Sequence, residues 1–190
     1  IAHLERLHLV HFAMGGTGAV IKGLANLITH QGGEIRLNAK VDEITTSGDH
    51  VTGVKLSNSE MLKADLVISN ADAATTYRSL LKSYPRHRWT DAKLARAKYS
   101  MSLFVWYFGT NRRYHDVYHH MMVLGPRYQE LLKDIFNKKL LADDFSLYLH
   151  RPTMTDASLA PEGCDTFYVL SPVPHLGAAP IDWSVEGPRY

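Results

Sequence analysis

Residues 100–108 read Ser-Met-Ser-Leu-Phe-Val-Trp-Tyr-Phe, and they constrain this chain more than any other stretch. In a strand, side chains alternate between the two faces. Met101, Leu103, Val105 and Tyr107 then share one face, and Phe104, Trp106 and Phe108 the other. A strand apolar on both faces is either fully buried or lines an apolar cavity, and both cases demand a sheet around it. Further strands are expected at 120–124, 145–149 and 167–170. Between the first and second of these lies a helix opened by Gly125-Pro126, with Leu131, Leu132, Ile135, Phe136 and Leu140 as its apolar stripe. Strand, strand, helix, strand, strand predicts a mostly antiparallel sheet with a helix on one face.

The first 72 residues have a different character. Gly15-Gly16-Thr17-Gly18 is a turn in which Thr17 is placed to cap a helix. Val20, Ile21, Leu24, Leu27 and Ile28 give that helix one apolar face, and Gly32-Gly33 ends it. A short strand is expected at 34–37. Val41, Ile44, Val51, Val54 and Leu56, broken by Ser47-Gly48-Asp49, predict a β-hairpin. The run Leu66-Val67-Ile68 has no alternation and reads as a strand covered on both faces. Asp72 is a good cap for a helix over 73–81, and a further helix is expected over 91–98. The fold class is therefore mixed α/β.

Composition excludes several classes. Hydrophobic residues are 45% and charged residues 21% of the 190, so the chain is globular and not disordered. Lys and Arg total 21 against 19 Asp and Glu, with no basic block, so a nucleic-acid partner is not expected. No apolar run is long enough to span a bilayer. The single Cys164 rules out an internal disulfide and a cysteine-rich zinc site. The N-terminus lacks the order of a secretory signal. The chain opens on Ile1 rather than Met and reads as an internal fragment.

Each motif with chemical potential has a plain alternative. Counting GxGxxG from Gly16 puts Gly18 in place but meets Ile21 where glycine is required, so the loop reads as a tight turn feeding a helix. His8 and His11 are three apart; His115 and His119 are four apart, with His120 adjacent. No HExxH accompanies them and no third ligand is evident, so no metal is expected. No GxSxG elbow exists, and Cys164 beside Glu162 and Asp165 is poorly placed for a thiolate. A nucleophilic hydrolase is not expected. Phe104, Trp106 and Phe108 are the candidate wall of a long apolar site; core packing is the other reading of each.

The stretches GGTGAVIKGLANLITHQGGEIRLNAKVDEI, DLVISNADAATTYRSLL, SLFVWYFG, GPRYQELLKDIF, DDFSLYLHRPTMTDASLAPEGCDTFYVLSPVPHLG and DWSVEGP cover nearly the whole chain. Through them it resembles the bacterial carotenoid desaturases of the phytoene desaturase type, within the FAD-dependent amine-oxidase-like flavoproteins. The first stretch is shared in outline across that superfamily, whereas TDASLAPEG and PVPHLG are more specific. The resemblance implies that residues 1–72 are the middle of a Rossmann-like FAD-binding domain, 73–175 the substrate-binding domain, and 176–190 a connecting segment. It implies that the backbone of Val41, in Val41-Asp42-Glu43-Ile44, lies against the FAD adenine. The family's phosphate-binding GxGxxG loop is not among these residues, and the fragment is expected to bind FAD weakly or not at all on its own.

For the parent enzyme the resemblance implies stepwise desaturation of phytoene toward neurosporene or lycopene, with Phe104, Trp106 and Phe108 as substrate-binding residues. No catalytic acid or base is identified. A peripheral association with the bacterial cytoplasmic membrane, from the cytoplasmic side, is expected from the insolubility of phytoene. Tyr84-Pro85-Arg86-His87-Arg88-Trp89 is a candidate interfacial loop, the alternative being an ordinary solvated one. A related flavoprotein (carotene isomerase, diapophytoene desaturase or amine oxidase) and a non-enzymatic lipid-binding module are the competing readings.

Overall fold

The computed structural model describes residues 2–190. They form two compact units, one of Gly32–Lys98 and the other of the residues through Gln31 with Tyr99–Tyr190. The divisions between these units fall at 31/32 and 98/99.

The larger unit is built on an antiparallel sheet. The helices α1 (Ala2–His8) and α2 (Thr17–His30) precede it in the chain. In chain order, β1 (Val41–Ser47), β2 (His50–Leu56) and β3 (Met61–Lys63) belong to the other unit. The sheet itself comprises β4 (Ser102–Thr110), β5 (His120–Val123), β6 (Leu147–His150) and β7 (Asp165–Val173), in the order β4-β7-β6-β5. All three pairings are antiparallel, as the alternation predicted. β4 pairs with β7 over its full length, Ser102 opposite Val173 and Thr110 opposite Asp165. On its other edge β4 has no strand partner among the described residues, so here it is an edge strand and not a fully buried one.

Two polar ties fix the loops of this unit. The carboxylate of Asp165, at the start of β7, accepts from Arg151 Nε at 2.9 Å, Thr153 Oγ1 at 2.7 Å and the Tyr114 N–H at 2.8 Å. Arg151 Nη1 also donates to the Val117 carbonyl at 2.6 Å. Both charges are out of water, with Arg151 and Asp165 side chains 6% and 0% exposed. The second tie holds the turn before α2: Asp156 accepts from the Gly15 N–H at 2.6 Å. Gly15 and Gly16 have φ of 84° and 75°, a region open to glycine at little cost. The N-cap of α2 is Gly16, and Thr17 is its first helical residue without a capping bond. Left-handed backbone at Gly16 turns the chain one residue earlier than a Thr17 cap requires.

In the smaller unit, β1, β2 and β3 form a three-stranded antiparallel sheet around buried Ile44 and Leu56. Gly53 has φ of 146°, and a Cβ there would sit 2.0 Å from the Leu62 carbonyl oxygen. Asp72 caps α3 (Ala73–Thr75) by accepting from the Thr75 N–H at 3.0 Å, and the chain continues in a wider turn over Thr76–Leu80. Thr90 caps α4 (Asp91–Ala95). Two expected strands do not form. Residues 34–37 run irregularly into Asn38, which has φ of 55°, and are held by Arg36 to Glu60 at 3.0 Å instead of by a ladder. Residues 66–68 have no partner strand among the described residues, and Leu66 and Ile68 are exposed. A strand exists only as part of a hydrogen-bonded ladder, so an apolar run without a neighbour stays irregular.

Candidate functional site

The nine-residue register of β4 on β7 settles which aromatic rings share a face. Phe104, Trp106 and Phe108 alternate onto one side. Phe108 stacks on Phe167, directly opposite, with ring centroids 5.1 Å apart, and Trp106 lies 4.7 Å from Phe108. Phe104 stacks on Trp183 at 5.7 Å and meets Tyr190 edge-on at 5.2 Å. Trp183 belongs to α6 (Trp183–Glu186), whose first turn is capped by Asp182. Phe104 and Phe108 are half-buried, whereas Trp106 is 61% exposed. The three rings therefore form a continuous apolar strip along an edge strand, anchored at both ends and open in the middle. Such a strip can lie against an extended hydrocarbon but supplies no charge to grip one.

A cleft of ≈ 640 Å³ lies beyond Tyr190, lined by Leu141, Phe145, Ile181, Asp182, Val185 and Arg189 among others. None of the three strip residues lines it.

The other face of the same sheet carries a row that the sequence reading missed. Tyr107 stands opposite Tyr168, Tyr168 opposite His150, and His150 opposite His120, so one line of rings crosses all four strands. Tyr168 and His150 rings are 4.5 Å apart, and His150 and His120 rings 4.9 Å. His119, just ahead of β5, packs its ring 4.6 Å from Phe12 and 4.7 Å from His150. Tyr148 bonds His120 Nδ1 at 2.5 Å. His119 Nδ1 bonds the Thr155 hydroxyl at 2.5 Å, while its Nε2 is buried without a partner. Burial, then the neighbouring His119 and His120, pushes His150 down to about 4. Burial and then His120 lowers His119 as well. Burial, then the Tyr168 hydroxyl, pushes the Tyr148 phenol up to about 12. The readable signal was the alternation of His150 and Tyr148 with leucines in β6; the strand register that joins them to His120 was not readable.

Val41 opens β1 opposite Leu56, and an irregularity in pairing follows at once between Val41 and Glu43. Around it, the Ser57 N–H donates to the Lys40 carbonyl at 2.9 Å and the Ser57 hydroxyl to Asp42 at 2.9 Å. β1 is the edge of its sheet, so backbone groups on its outer side are not taken by a ladder. In the same unit, the loop of Arg86 and Trp89 is folded in. Arg86 donates to the Trp89 carbonyl and pairs with Asp91, both at 2.9 Å. Trp89 stacks on Tyr77 at 5.6 Å, and Lys93 sits 4.3 Å from its ring. Arg88 remains exposed. Among the described residues, no helix is long and apolar enough to cross a membrane.

Comparison with known proteins places these features. The family described as flavin containing amine oxidoreductase matches residues 3–142. A neurosporene-forming phytoene desaturase of Rhodobacter capsulatus is 52% identical over all of this chain and 37% of its own length. Its counterpart from Cereibacter sphaeroides is 50% identical over all of this chain and 38% of its own length. A lycopene-forming phytoene desaturase of Pseudescherichia vulneris is 50% identical over 98% of this chain and 38% of its own length. The chain thus spans a little over a third of the length of these relatives. With residues 3–142 of its 190 inside the family match, and with 52% identity to one of those relatives over its full extent, the chain belongs to the flavin containing amine oxidoreductase family.

Proposed function

We propose that this chain is part of an FAD-dependent desaturase that converts phytoene stepwise toward neurosporene or lycopene in carotenoid biosynthesis. The observation that carries the reading is the match to phytoene desaturases over 100% and 98% of the chain, at 52% and 50% identity for neurosporene- and lycopene-forming relatives. The open aromatic strip of Phe104, Trp106 and Phe108 supports it independently.

The flavin, when bound, accepts the hydride that leaves the hydrocarbon; that chemistry is the cofactor's own. The polypeptide positions and shields. The spare backbone edge at Val41 receives the adenine end of FAD. The strip on β4 holds the polyene, and because the substrate has no polar handle, buried area and shape must orient it. Closing that site keeps water from the reacting carbon. On this reading, residues 1–72 serve the flavin, 73–175 the substrate, and 176–190 connect onward. Access to a membrane-dissolved substrate calls for peripheral contact with the cytoplasmic membrane. Arg88 is the candidate for that contact, since Arg86 and Trp89 are already engaged.

The complete reading frame, expressed and supplied with phytoene and FAD, is expected to produce visible absorbance, whose wavelength reports the number of double bonds introduced. A protein that binds flavin stoichiometrically yet leaves phytoene colourless would overturn the assignment. Co-sedimentation with anionic liposomes, reduced by Arg88→Glu, tests the membrane contact.

A further inference from the structure

Three imidazoles meet on the sheet face away from the aromatic strip, and nothing in the proposed desaturation requires them there. One ring nitrogen from each of His119, His120 and His150 lies within 4.8 Å of the others. His120 Nδ1 and His150 Nδ1 are 3.3 Å apart. The Tyr148 oxygen touches both, at 2.5 Å and 3.3 Å. We propose that His119, His120 and His150 bind one first-row divalent transition-metal ion, with the Tyr148 oxygen as the fourth ligand.

The spacing supports this. Zinc–imidazole bonds of about 2.0–2.1 Å at tetrahedral angles hold ligand nitrogens roughly 3.3–3.4 Å apart. The His120–His150 pair already has that separation. Among the imidazoles the widest pair must close by up to about 1.5 Å, and the Tyr148 oxygen, 2.5 Å from His120 Nδ1, must move away by about 0.8 Å.

The hydrogen bond behind His119 supports it too. An imidazole that donates from one nitrogen presents a lone pair on the other, and the partner fixes which. The Thr155 hydroxyl holds His119 Nδ1, leaving Nε2 as the ligand atom. That same Nε2 is the buried nitrogen without a hydrogen-bond partner. A buried polar nitrogen without a partner is costly, and in the tautomer whose Nδ1–H donates to the Thr155 hydroxyl a Lewis acid satisfies it.

Strand geometry explains why the ligands converge. β5 and β6 place His120 and His150 directly opposite each other, and His119 precedes β5 by one residue. An ion bound there staples the two strands. The donors are imidazole and phenol, without a carboxylate in the set. That favours Zn²⁺, Co²⁺, Ni²⁺ or Cu²⁺ over Mg²⁺ or Ca²⁺, which need several oxygen ligands. His120 is exposed, which gives the ion an entry path.

The test uses the complete protein, stripped with a chelator and titrated with Co²⁺. One equivalent is expected to bind with the intense visible ligand-field bands of a tetrahedral site, and excess Mg²⁺ should not displace it. His120→Ala removes an exposed side chain, so the fold should survive; binding should weaken by about 100-fold or more, given that even outer-shell partners are worth 10–100-fold. The control variant His8→Ala/His11→Ala should bind as the parent does. In thermal melts, Zn²⁺ should raise the midpoint of the parent but not of His120→Ala. No cobalt band, or equal binding by His120→Ala and the parent, would overturn the proposal and leave the three histidines as a hydrogen-bonded cluster only.

Discussion

Replacing Asp165 should damage this chain more than any exposed change. Its carboxylate is fully buried and accepts three hydrogen bonds, from Arg151, Thr153 and the Tyr114 backbone. Asp165→Ala strands a guanidinium that is 6% exposed and leaves two neutral donors without acceptors. Breaking a buried pair on one side costs about 3–5 kcal/mol. Whole domains are stable by only about 5–15 kcal/mol, so the variant should sit near its unfolding threshold. Asp165→Asn retains one acceptor oxygen and should lose somewhat less. A double-mutant cycle with Arg151→Met isolates the pair, because removing both charges spares the cost of an orphan; a coupling of about 2 kcal/mol is expected. The assay is urea unfolding of the complete protein followed by tryptophan fluorescence.

The pH dependence of that tie has a definite sign. Burial pushes the Asp165 carboxyl up, but the hydrogen bonds from Thr153 and Tyr114 and the charge of Arg151 outweigh it and hold it below the usual carboxylate range. A carboxyl lower in the folded than in the unfolded state stabilises the fold above its unfolded value near 4. That stabilisation is lost as pH falls through the lower, folded value. The parent should therefore lose stability below about pH 4 more steeply than Asp165→Asn. If Asp165→Ala costs less than about 1 kcal/mol, or the cycle is additive, then the buried pair is not what joins residues 114–117, 151–153 and β7.

Three further outcomes test other parts of the structure. Gly53→Ala places a Cβ 2.0 Å from the Leu62 carbonyl at a backbone angle of 146°, so β2 and β3 should separate at a cost of about 3 kcal/mol or more, read as loss of amide protection at 61–63. Asp156→Ala removes the acceptor of the Gly15 N–H, and hydrogen exchange across 13–19 should quicken about tenfold while the sheet stays protected. Trp106→Ala in the complete enzyme should lower kcat/KM for phytoene about tenfold with an unchanged melting temperature, since the ring is 61% exposed in this chain; equal turnover would remove β4 from the substrate path.

The sheet of the larger unit was legible because its strands alternate and its turns carry their own residues. β4 through β7 and the helix between them follow from periodicity alone. α5 (Tyr128–Lys133) begins two residues after Pro126, where the proline can no longer obstruct it. The errors share one cause. Residues 34–37 and 66–68 have strand-like composition, but strand formation depends on a partner that composition does not name. The bulk of β4 was legible, yet its place at the sheet edge was not, because edge and centre differ only in what pairs beside them.

The same limit explains why one face of the sheet was found and the other missed. Phe104, Trp106 and Phe108 are neighbours at spacing two along one strand, so sequence alone groups them. His120 and His150 are thirty residues apart and meet only because β5 and β6 pair in one particular register. A slip of one residue would turn His150 to the strip side and bring Leu149 in its place. The register is held from outside the pair: the Arg151 N–H donates to the His119 carbonyl at 2.9 Å, immediately beyond the ladder, and Asp165 fixes the Arg151 side chain. The buried ion pair and the histidine cluster are therefore mechanically linked. A variant that loses the Asp165 tie without unfolding should also scatter His119, His120 and His150, and so lose its high-affinity Co²⁺ equivalent although every imidazole is still present. Retention of that equivalent in a folded Asp165→Ala variant would mean that the strand pairing sets the register without the Asp165 tie.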